Sequence, residues 1–508
     1  MLNYGDAVAH LHIARRVLDS HRPGLTQLGS VWLPLPHLLL IPFVGIYDWW
    51  ANGLAGMIPS AIAFLAGCTG IYRLARHWLR PAPAALALAF FALNPNLLYL
   101  QSTAMTEPIY ICETIWVSLW LVEWRASLDR VEGATDAGAR SDRLLWFIAA
   151  ALVAAVFTRY DGWVMALLVW AAIGIMLARR GRLRSSAFWI ASALVLAAPV
   201  AWCVYNATVF GDWLDFLRGP YSAKAIEMRT ATPGWPPHPG WHNPWVSLLF
   251  YVKVAELDAA VCGNTLLVLS LLGTAWAWMI ARQRALAGTL LLWLPVPFYA
   301  YSVAYGSVPI FIPPWWPHSW YNTRYGLELL PAFALGIGFA AHFVLGAVRK
   351  FKPVWTRYAA VAMFTLVALN AWLLLRGRPL VYVEGTKNID ARRSYDQAIP
   401  AALRALLAMR PGGVILMDTS VYPEIVAFTG IPLRQTINES DKEFYRAALA
   451  APATHAALVL AFDGDEVDSA VKAHPQGLSA VQRFTAPWQK AGTLYASGSW
   501  PSTTTPAR

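Results

Sequence analysis

Charged residues are scarce in this sequence: Asp, Glu, Lys and Arg make up only 14% of its 508 residues. Soluble globular domains carry about 25% charged residues, whereas 57% of this chain is hydrophobic. The shortage excludes an ordinary soluble protein and indicates a chain that crosses a membrane several times. The formal net charge of +11 then indicates loops beside anionic lipid, and no nucleic-acid partner is expected.

Cysteine and the common catalytic motifs are also scarce or absent. The four cysteines lie in or beside apolar segments and form no CxxC pair, so they predict small core residues rather than disulfides or metal ligands. The sequence has no P-loop, HExxH or GxSxG motif, and GGVILMD at 412–418 lacks the GxGxxG spacing of a dinucleotide site. Residues 1–16 are too polar for a secretory signal peptide.

Long apolar runs are what the sequence does have. A helix needs about 20 residues to cross the hydrocarbon, and somewhat shorter runs are tolerated. The segment 31–47 is apolar too, but Pro34, Pro36 and Pro42 predict a broken interfacial segment there. The pattern predicts an α-helical polytopic membrane protein with about ten spans. The runs cover residues 52–76, 82–104, 108–124, 144–158, 162–178, 186–206, 262–281, 286–305, 326–346 and 358–375.

Lys and Arg cluster in alternate loops, which predicts an orientation. By the positive-inside rule, arginine-rich loops such as 179–184 and 349–357 belong on the cytoplasmic side. The other loops, and everything after the last span, then face outside the cytoplasm, as expected for a bacterial inner-membrane protein. These outer segments cover residues 1–51, 105–107, 159–161, 207–261, 306–325 and the chain after 376.

Four segments follow from these patterns. A first extracytoplasmic loop with interfacial helices precedes a transmembrane bundle, whose Trp-rich outer loop 207–261 we expect to act as a lid. A small extracytoplasmic α/β domain and a disordered tail come last. Because the chain begins inside an outer loop, either its N-terminus is translocated without a preceding helix or a first transmembrane helix precedes Met1, and we expect the second. The segments are residues 1–51, 52–375, 376–500 and 501–508.

The first candidate site residues lie in MLNYGDAVAHLHIARR, at 1–16. Asp6 and His10 are four residues apart, so a helix places them on one face. A carboxylate here can accept a proton from an acceptor hydroxyl, or hold a divalent cation together with His10. The alternative is that Asp6 is the N-cap acid of a helix over 7–18.

Two further outer segments carry ionisable groups, which are costly at a membrane boundary and therefore candidates for function. Glu107, in MTEP, lies where a helix begins; the alternative role is a helix-dipole partner. TRYDGW at 158–163 places Arg159 and Asp161 in a tight loop. An arginine fork at the membrane surface fits a lipid-linked phosphate or diphosphate, and the alternative is a mutual Arg–Asp pair.

The stretch 313–331 places three more candidates at the outer mouth of a helix: Asn322, Arg324 and Tyr325. Glu328 lies one turn further into the same predicted helix. The tryptophans of this stretch form an aromatic belt or stack on sugar faces, whose C–H surfaces suit aromatic rings.

The order of these segments resembles the GT-C-fold glycosyltransferases, especially the bacterial relatives of protein O-mannosyltransferase and lipid A aminoarabinose transferase (family 39-like). The resemblance rests on YGDAVAHLHIARR, MTEP, TRYDGW, NTRYGLELLPA and the α/β tail, and in topology it covers about residues 1–375. It implies inverting transfer of a hexose or pentose from a polyprenyl-phosphate carrier. The acceptor would be a glycan, lipid or protein outside the cytoplasm, and membrane lipids would surround the enzyme.

The resemblance also implies roles. Asp6 matches the first-loop acid, which is base or metal-associated, and Glu107 matches the second acid by position. Arg159 and Arg324 would face the phosphate. The usual paired acids of the first loop are here Asp6 followed by alanine, so His10 or Glu107 would supply the second ligand of any Mg²⁺ or Mn²⁺. The remaining substrate-binding candidates are Asp161, Asn322 and Tyr325.

Two other classes of function are alternatives to a glycosyltransferase. A membrane transporter or lipid-moving protein would show ionisable residues at mid-membrane on discontinuous helices, and Glu113 is the clear mid-span acid. A non-enzymatic envelope scaffold would leave the gathering of Asp6, Glu107, Arg159 and Arg324 on one predicted side unexplained. We therefore expect a glycosyltransferase.

Overall fold

A computed structural model of the chain describes residues 1–129, 135–230, 236–281, 284–487 and 489–498. The predicted tail 501–508 lies outside these residues. The chain divides into two compact units, which are described separately. The composite unit contains residues 1–29, 37–58 and 385–508, and the bundle unit contains residues 30–36 and 59–384.

Helices make up most of the described chain. Those of the first half are α1 Gly5–Arg16, α2 Pro34–Val44, α3 Tyr47–Asn52, α4 Leu54–Arg76, α5 Pro81–Ala92, α6 Pro95–Leu100, α7 Glu107–Asp129, α8 Thr135–Thr158, α9 Asp161–Arg179, α10 Ser186–Phe210, α11 Asp215–Arg218 and α12 Ala223–Thr230. Those that follow are α13 Pro244–Ala259, α14 Gly263–Ala281, α15 Pro295–Tyr305, α16 Leu330–Phe351, α17 Thr356–Arg376, α18 Leu380–Ala408, α19 Glu424–Thr429, α20 Glu443–Ala450, α21 Pro452–His455 and α22 Glu466–Ala473. Two longer 3-10 segments, Arg284–Trp293 and Thr323–Leu329, precede α15 and α16.

The chain is an integral membrane protein, but the predicted count of about ten spans is not confirmed. Among the described residues, six helical segments are long and apolar enough to cross a membrane, or seven if α13 and α14, bent by 99°, form one span. The run 82–104 is broken because Asn94 caps α6 and Pro95 cannot continue α5. The run 286–305 is split between a 3-10 segment and the 11-residue α15.

The core of the bundle unit lies where α7, α8, α9 and α10 pack together. Trp124, Ile148, Leu152 and Met165 are among its fully buried side chains. Large apolar side chains on other faces of these helices are exposed, such as Leu167, which is 66% exposed. Apolar surface facing outward on long helices is the arrangement expected of segments that contact lipid.

The connection predicted at 207–261 is shorter in the structure. Helix α10 continues to Phe210, and Asn243 caps α13, which occupies Pro244–Ala259. The sequence pattern missed α13 because it carries Lys253 and Glu256, whose charges form an ion pair of 2.8 Å one turn apart. The remaining connection contains the short helices α11 and α12, and its residues 231–235 lie outside the described part of the chain.

The predicted C-terminal α/β sheet is present in the composite unit. Its strands are β1 Ile415–Met417, β2 Thr436–Ile437, β3 Leu458–Phe462, β4 Leu478–Phe484 and β5 Gly492–Ser497. The order is β2-β1-β3-β5-β4, with β1 parallel to β2 and β3, and β5 antiparallel to β3 and β4. Leu416, Val459 and Val467 form its buried core with α22.

The N-terminal helices belong to the same unit as this sheet. Arg16 donates to Ser440 and lies 4.0 Å from Glu439. Tyr47 donates to the carbonyl of Ala427 over 2.9 Å. Segments at the two ends of the sequence, which were predicted as separate domains, thus form one compact unit.

Candidate active site

Helix α1 carries Asp6 and His10. Asp6 is partly buried in the first turn, and the N-cap residue is Tyr4, whose side chain makes no capping hydrogen bond. The alternative that Asp6 is the N-cap acid is therefore wrong, because the helix already begins at Gly5. A carboxylate in the first turn interacts favourably with the positive end of the helix dipole.

His10 forms a close pair with a second histidine. Its Nδ1 lies 2.8 Å from Nε2 of His37 on α2, and both rings are buried. Two ring nitrogens at this distance share one proton, so one ring donates and the other accepts. His12 is also buried, and burial together with Arg16 lowers its pKa to about 3. His12 is therefore neutral at physiological pH.

The remaining candidates gather in the bundle unit around Arg159, which lies between α8 and α9. We call this cluster the arginine network. It consists of Glu107, Arg159, Asp161, Tyr299, Arg324 and Glu328. Its members come from α7, the α8–α9 link, α9, α15 and the 3-10 segment Thr323–Leu329. These segments are far apart in the sequence, and their polar side chains meet in the network.

Arg159 is the centre of the network. Its guanidinium makes four hydrogen bonds and, in addition, an ion pair with Glu328. Its side chain is only 15% exposed, so these bonds replace most contact with water. The donor–acceptor distances are 3.1 Å from Nη1 to Thr106 Oγ1, 3.2 Å from Nη1 to Glu107 Oε1, 2.7 Å from Nη2 to Tyr299 Oη, 3.2 Å from Nη2 to Glu328 Oε1 and 3.4 Å from Nε to Asp161 Oδ2.

Glu107 joins the two arginines. Its Oε1 accepts from Arg159 over 3.2 Å and from Arg324 over 3.0 Å, and the side chain is 1% exposed. Its second oxygen, Oε2, is buried and has no hydrogen-bond partner among the described residues. One carboxylate oxygen therefore holds two guanidinium groups side by side.

Arg324 also contacts Glu384, at the start of α18. Its Nη1 lies 3.4 Å from Glu384 Oε1. The same carboxylate accepts from the backbone amides of Asn322 and Thr323, over 3.0 and 2.8 Å. Asn322 adopts a left-handed conformation, with φ of 55°, which asparagine tolerates better than most residues. Glu384 thereby fixes the turn that presents Arg324.

The Tyr325 ring lies beside both guanidinium groups. The distances from its centroid are 5.1 Å to Arg159 Cζ and 4.9 Å to Arg324 Cζ. The ring also stacks on Tyr299 at a centroid distance of 5.0 Å. Cation–π contacts of this kind add to the ion pairs in a desolvated site.

No family model and no curated protein sequence matches the chain. Two solved structures share its architecture. The structure of ArnT from Cupriavidus metallidurans bound to undecaprenyl phosphate has a TM-score of 0.55 at 14% identity and covers 97% of this chain and 93% of that one. The apo oligosaccharyltransferase of Archaeoglobus fulgidus has a TM-score of 0.51 at 10% identity and covers 99% and 72%.

The chain has the GT-C fold. The resemblance inferred from the sequence is thus confirmed for the fold. Identities this low say nothing by themselves about substrate or catalytic residues.

The arginine network and Glu384 together contain more negatively than positively charged side chains. Arg159 and Arg324 face four carboxylates whose side chains are between 1% and 4% exposed. Uncompensated charge at such depth is costly. The carboxylates are Glu107, Asp161, Glu328 and Glu384.

The structure brings together most of the predicted site residues of the bundle unit. Glu107, Arg159, Asp161 and Arg324 are in direct contact, and Tyr325 packs on the arginines. The pair of Arg159 with Asp161, weighed as an alternative to a phosphate site, is present at 3.4 Å as one part of the larger network. Asp6 and His10 lie in the composite unit.

Three polar residues of this site were not predicted as site residues: Tyr299, Glu384 and Glu328. Tyr299 sits in an apolar run, and nothing in its sequence context marks it. Glu384 follows the last predicted span, where an acid usually indicates a solvated face. Glu328 was noted one turn beyond Arg324, and its four-residue spacing from that arginine was the available signal.

The sequence left open whether a divalent cation binds, with Asp6, His10 or Glu107 as its ligands if it does. Among the described residues, no group of three or more His, Cys, Asp or Glu side chains is arranged to hold a metal ion. Mg²⁺ is commonly bound through one or two carboxylates, with substrate phosphate and water completing the shell. The acids of this site fit that second mode, in which the cation binds together with a phosphorylated substrate.

Proposed function

We propose that this protein transfers a sugar from a polyprenyl-phosphate-linked donor to an acceptor on the extracytoplasmic side of the bacterial inner membrane, with inversion at the anomeric carbon. The observation that carries the proposal is the convergence of Arg159 and Arg324 on one oxygen of Glu107, over 3.2 and 3.0 Å. Two buried guanidiniums held side by side suit a phosphate group. A GT-C structure with undecaprenyl phosphate bound, that of ArnT, supports a lipid-linked donor.

The arginine network receives the donor phosphate in this proposal. Arg159 already makes four hydrogen bonds and an ion pair with Glu328 within the protein, so a phosphate oxygen takes the place of one of these partners. Glu107 Oε1 marks a position at which both arginines can hold an anionic oxygen. As the bond from sugar to phosphate breaks, the developing negative charge on the leaving phosphate is stabilised by Arg159 and Arg324.

Asp6 is assigned as the base. Its carboxylate takes the proton of the acceptor hydroxyl, whose oxygen attacks the anomeric carbon while the carbon–oxygen bond to the phosphate breaks. Polyprenyl phosphate leaves with the bonding electron pair. Glu107 is the second acid of the site, and His10, Asp161, Asn322 and Tyr325 are assigned to substrate binding or to positioning the groups that bind it.

The test measures release of polyprenyl phosphate by the purified full chain. A panel of hexose and pentose polyprenyl-phosphate donors is incubated with glycan, lipid or peptide acceptors, with and without a chelator. We expect release from at least one donor, abolished by Asp6→Asn. Asp48→Asn is the matched control, because Asp48 is also an acid in the first turn of a helix of the composite unit, α3, and it is exposed.

Each possible result of this experiment tests a different part of the proposal. Release that survives in Asp6→Asn would overturn the assignment of the base. Release from no donor of the panel would overturn the transferase. Loss of release with chelator, restored by Mg²⁺ or Mn²⁺, would assign the cation to the donor complex.

A second candidate, a transporter or lipid-moving protein, is favoured by one observation. Helices α13 and α14 are bent by 99° at a break, and both carboxylate oxygens of Asp258, just before that break, are buried without a hydrogen-bond partner among the described residues. Ionisable groups at broken helices are typical of transporters. Movement of a polyprenyl-phosphate sugar across liposomes without cleavage of the donor would favour this function.

A further inference from the structure

The bundle unit contains a cavity away from the arginine network. It has a volume of about 420 Å³ and lies between the end of α4, the middle of α7 and the start of α8. This volume is within the usual range for small-ligand sites. The lining residues that matter for the argument are Arg73, Trp120, Glu123, Arg140, Arg143 and Phe147.

The cavity is basic. Arg73 pairs with Glu123 over 3.1 Å, and His77 Nε2 lies 3.6 Å from the same carboxylate. Arg140 and Arg143 are exposed on α8 and form no ion pair with a described residue. Three arginines against one carboxylate leave two positive charges, so the cavity suits an anion that can contact both α8 arginines.

One wall of the cavity is aromatic. Trp116 and Trp120 lie on successive turns of α7 with ring centroids 5.0 Å apart, and Trp120 is 5.2 Å from Phe147. The guanidinium of Arg73 lies 5.3 Å from the Trp116 ring. Phe147 is 42% exposed, so the aromatic wall continues from the cavity to the surface of the bundle unit.

The cavity lies at the level of one membrane interface. Arg73 is in the last turn of the candidate span Leu54–Arg76, and Arg140 and Arg143 are in the first turns of the candidate span Gly138–Thr158. Lipid phosphates lie at the ends of spans, and tryptophan rings favour the same depth. The positive-inside rule assigns this side to the cytoplasmic leaflet, where anionic lipids attract Lys and Arg.

We propose that this cavity binds the headgroup of an anionic glycerophospholipid. The headgroup phosphate contacts Arg140 and Arg143, and an acyl chain lies along Trp120 and Phe147. A soluble phosphate compound would use the same arginines, but it would leave the exposed aromatic wall without a ligand.

The experiment uses the full chain in nanodiscs that contain phosphatidylglycerol and phosphatidylcholine. Phosphatidylglycerol retained after transfer to detergent is counted by native mass spectrometry. We expect the double variant Arg140→Gln/Arg143→Gln to lower retention about thirtyfold, since each arginine near an anionic surface contributes about one kcal/mol. The matched control is Arg349→Gln/Lys350→Gln, which removes two positive charges from the last turn of α16 outside the cavity, and we expect it to retain the lipid.

Equal loss in the two double variants would overturn the proposal, because it would show general surface charge rather than a site. Displacement of the lipid by soluble glycerol phosphate at equal concentration would also overturn it, in favour of a soluble ligand. Trp120→Leu changes no charge and provides an independent measure. We expect it to lower retention of phosphatidylglycerol, whereas unchanged retention would contradict the aromatic part of the site.

Discussion

Arg324 donates its Nε hydrogen to Oε1 of Glu107 over 3.0 Å, although the two residues are 217 positions apart in the sequence. Both side chains are almost completely buried, at 6% and 1% exposed. A buried ion pair is not in itself stabilising, but removal of one partner leaves an uncompensated charge. This contact therefore links the first turn of α7 to the 3-10 segment before α16, and its loss costs more free energy than the loss of an apolar contact would.

Glu107→Gln tests this contact. The amide retains an acceptor oxygen, but its two bonds from arginine are no longer between charged groups. Such bonds are roughly twice as strong as neutral ones, so we expect the variant to be about 2 kcal/mol less stable and to lose transfer. Thermal melting in detergent and donor-release assays measure the two effects.

Glu123→Gln is the control for this prediction. Glu123 is on the same helix, but its partner Arg73 is 47% exposed, and pairs near solvent contribute at most about 1 kcal/mol. Equal destabilisation by the two variants would contradict the view that burial gives the Glu107 contact its importance.

The sequence pattern predicted those elements whose signal is local. The small α/β domain after residue 376 was predicted from its sequence, and strands β1 and β3 of its sheet occupy Ile415–Met417 and Leu458–Phe462. A cluster of apolar residues between two turns is buried in the core whatever its position in the chain. The order of the short motifs carried the resemblance to the GT-C fold, because each motif is a run of neighbouring residues that can be recognised in the sequence.

Contacts between residues far apart in the chain could not be predicted from the sequence. Tyr299 reaches Arg159 from 140 positions away, over 2.7 Å, and only the packing of α15 against the network shows it. The predicted number of about ten spans is not confirmed for a related reason: hydropathy counts apolar residues but does not show where a helix breaks. Asn94 and Pro95 end one helix and begin another inside a single apolar run.

Arg159→Lys is expected to lower transfer about a hundredfold. A lysine ammonium has three donors and no planar fork, so it cannot replace the four hydrogen bonds and the Glu328 ion pair of Arg159 or stack on Tyr325. Initial rates of donor release measure the effect. Arg218→Lys is the control, since Arg218 is 64% exposed and lies 3.6 Å from Asp212. Wild-type rates in Arg159→Lys would show that charge alone is sufficient.

The composite unit should be less stable at neutral than at acidic pH because of Glu439. Burial, with Asp418 adding to it and Arg16 opposing it, raises the pKa of this carboxyl from 4.5 to about 7. A raised carboxyl pKa means that the folded state binds more protons than the unfolded state, so stability is fully present below the unfolded pKa and falls as pH rises towards 7. The shift corresponds to about 3 kcal/mol.

Hydrogen exchange of the sheet amides between pH 5 and 8, corrected for intrinsic rates, measures this dependence. Glu439→Gln should flatten the profile in part, because burial also raises the pKa of Glu424 to about 7. A profile that is unchanged in Glu439→Gln would rule out this carboxyl as its source.

Gly326→Ala should disrupt the segment that presents Arg324 without removing any charge. A Cβ at this position would lie 2.5 Å from Asp258 Oδ2 and 2.8 Å from the backbone nitrogen of Ala255, so α13 or the 3-10 segment must move. Overpacking of this kind costs about 1–3 kcal/mol, and we expect lower thermal stability together with slower donor release. Gly346→Ala, on α16, is the control, because a Cβ there meets no atom within 4 Å, and alanine favours a helix more than glycine by about 1 kcal/mol. The two variants should therefore shift the melting temperature in opposite directions; a shift in the same direction would show that the approach of α13 to Gly326 is not closely packed.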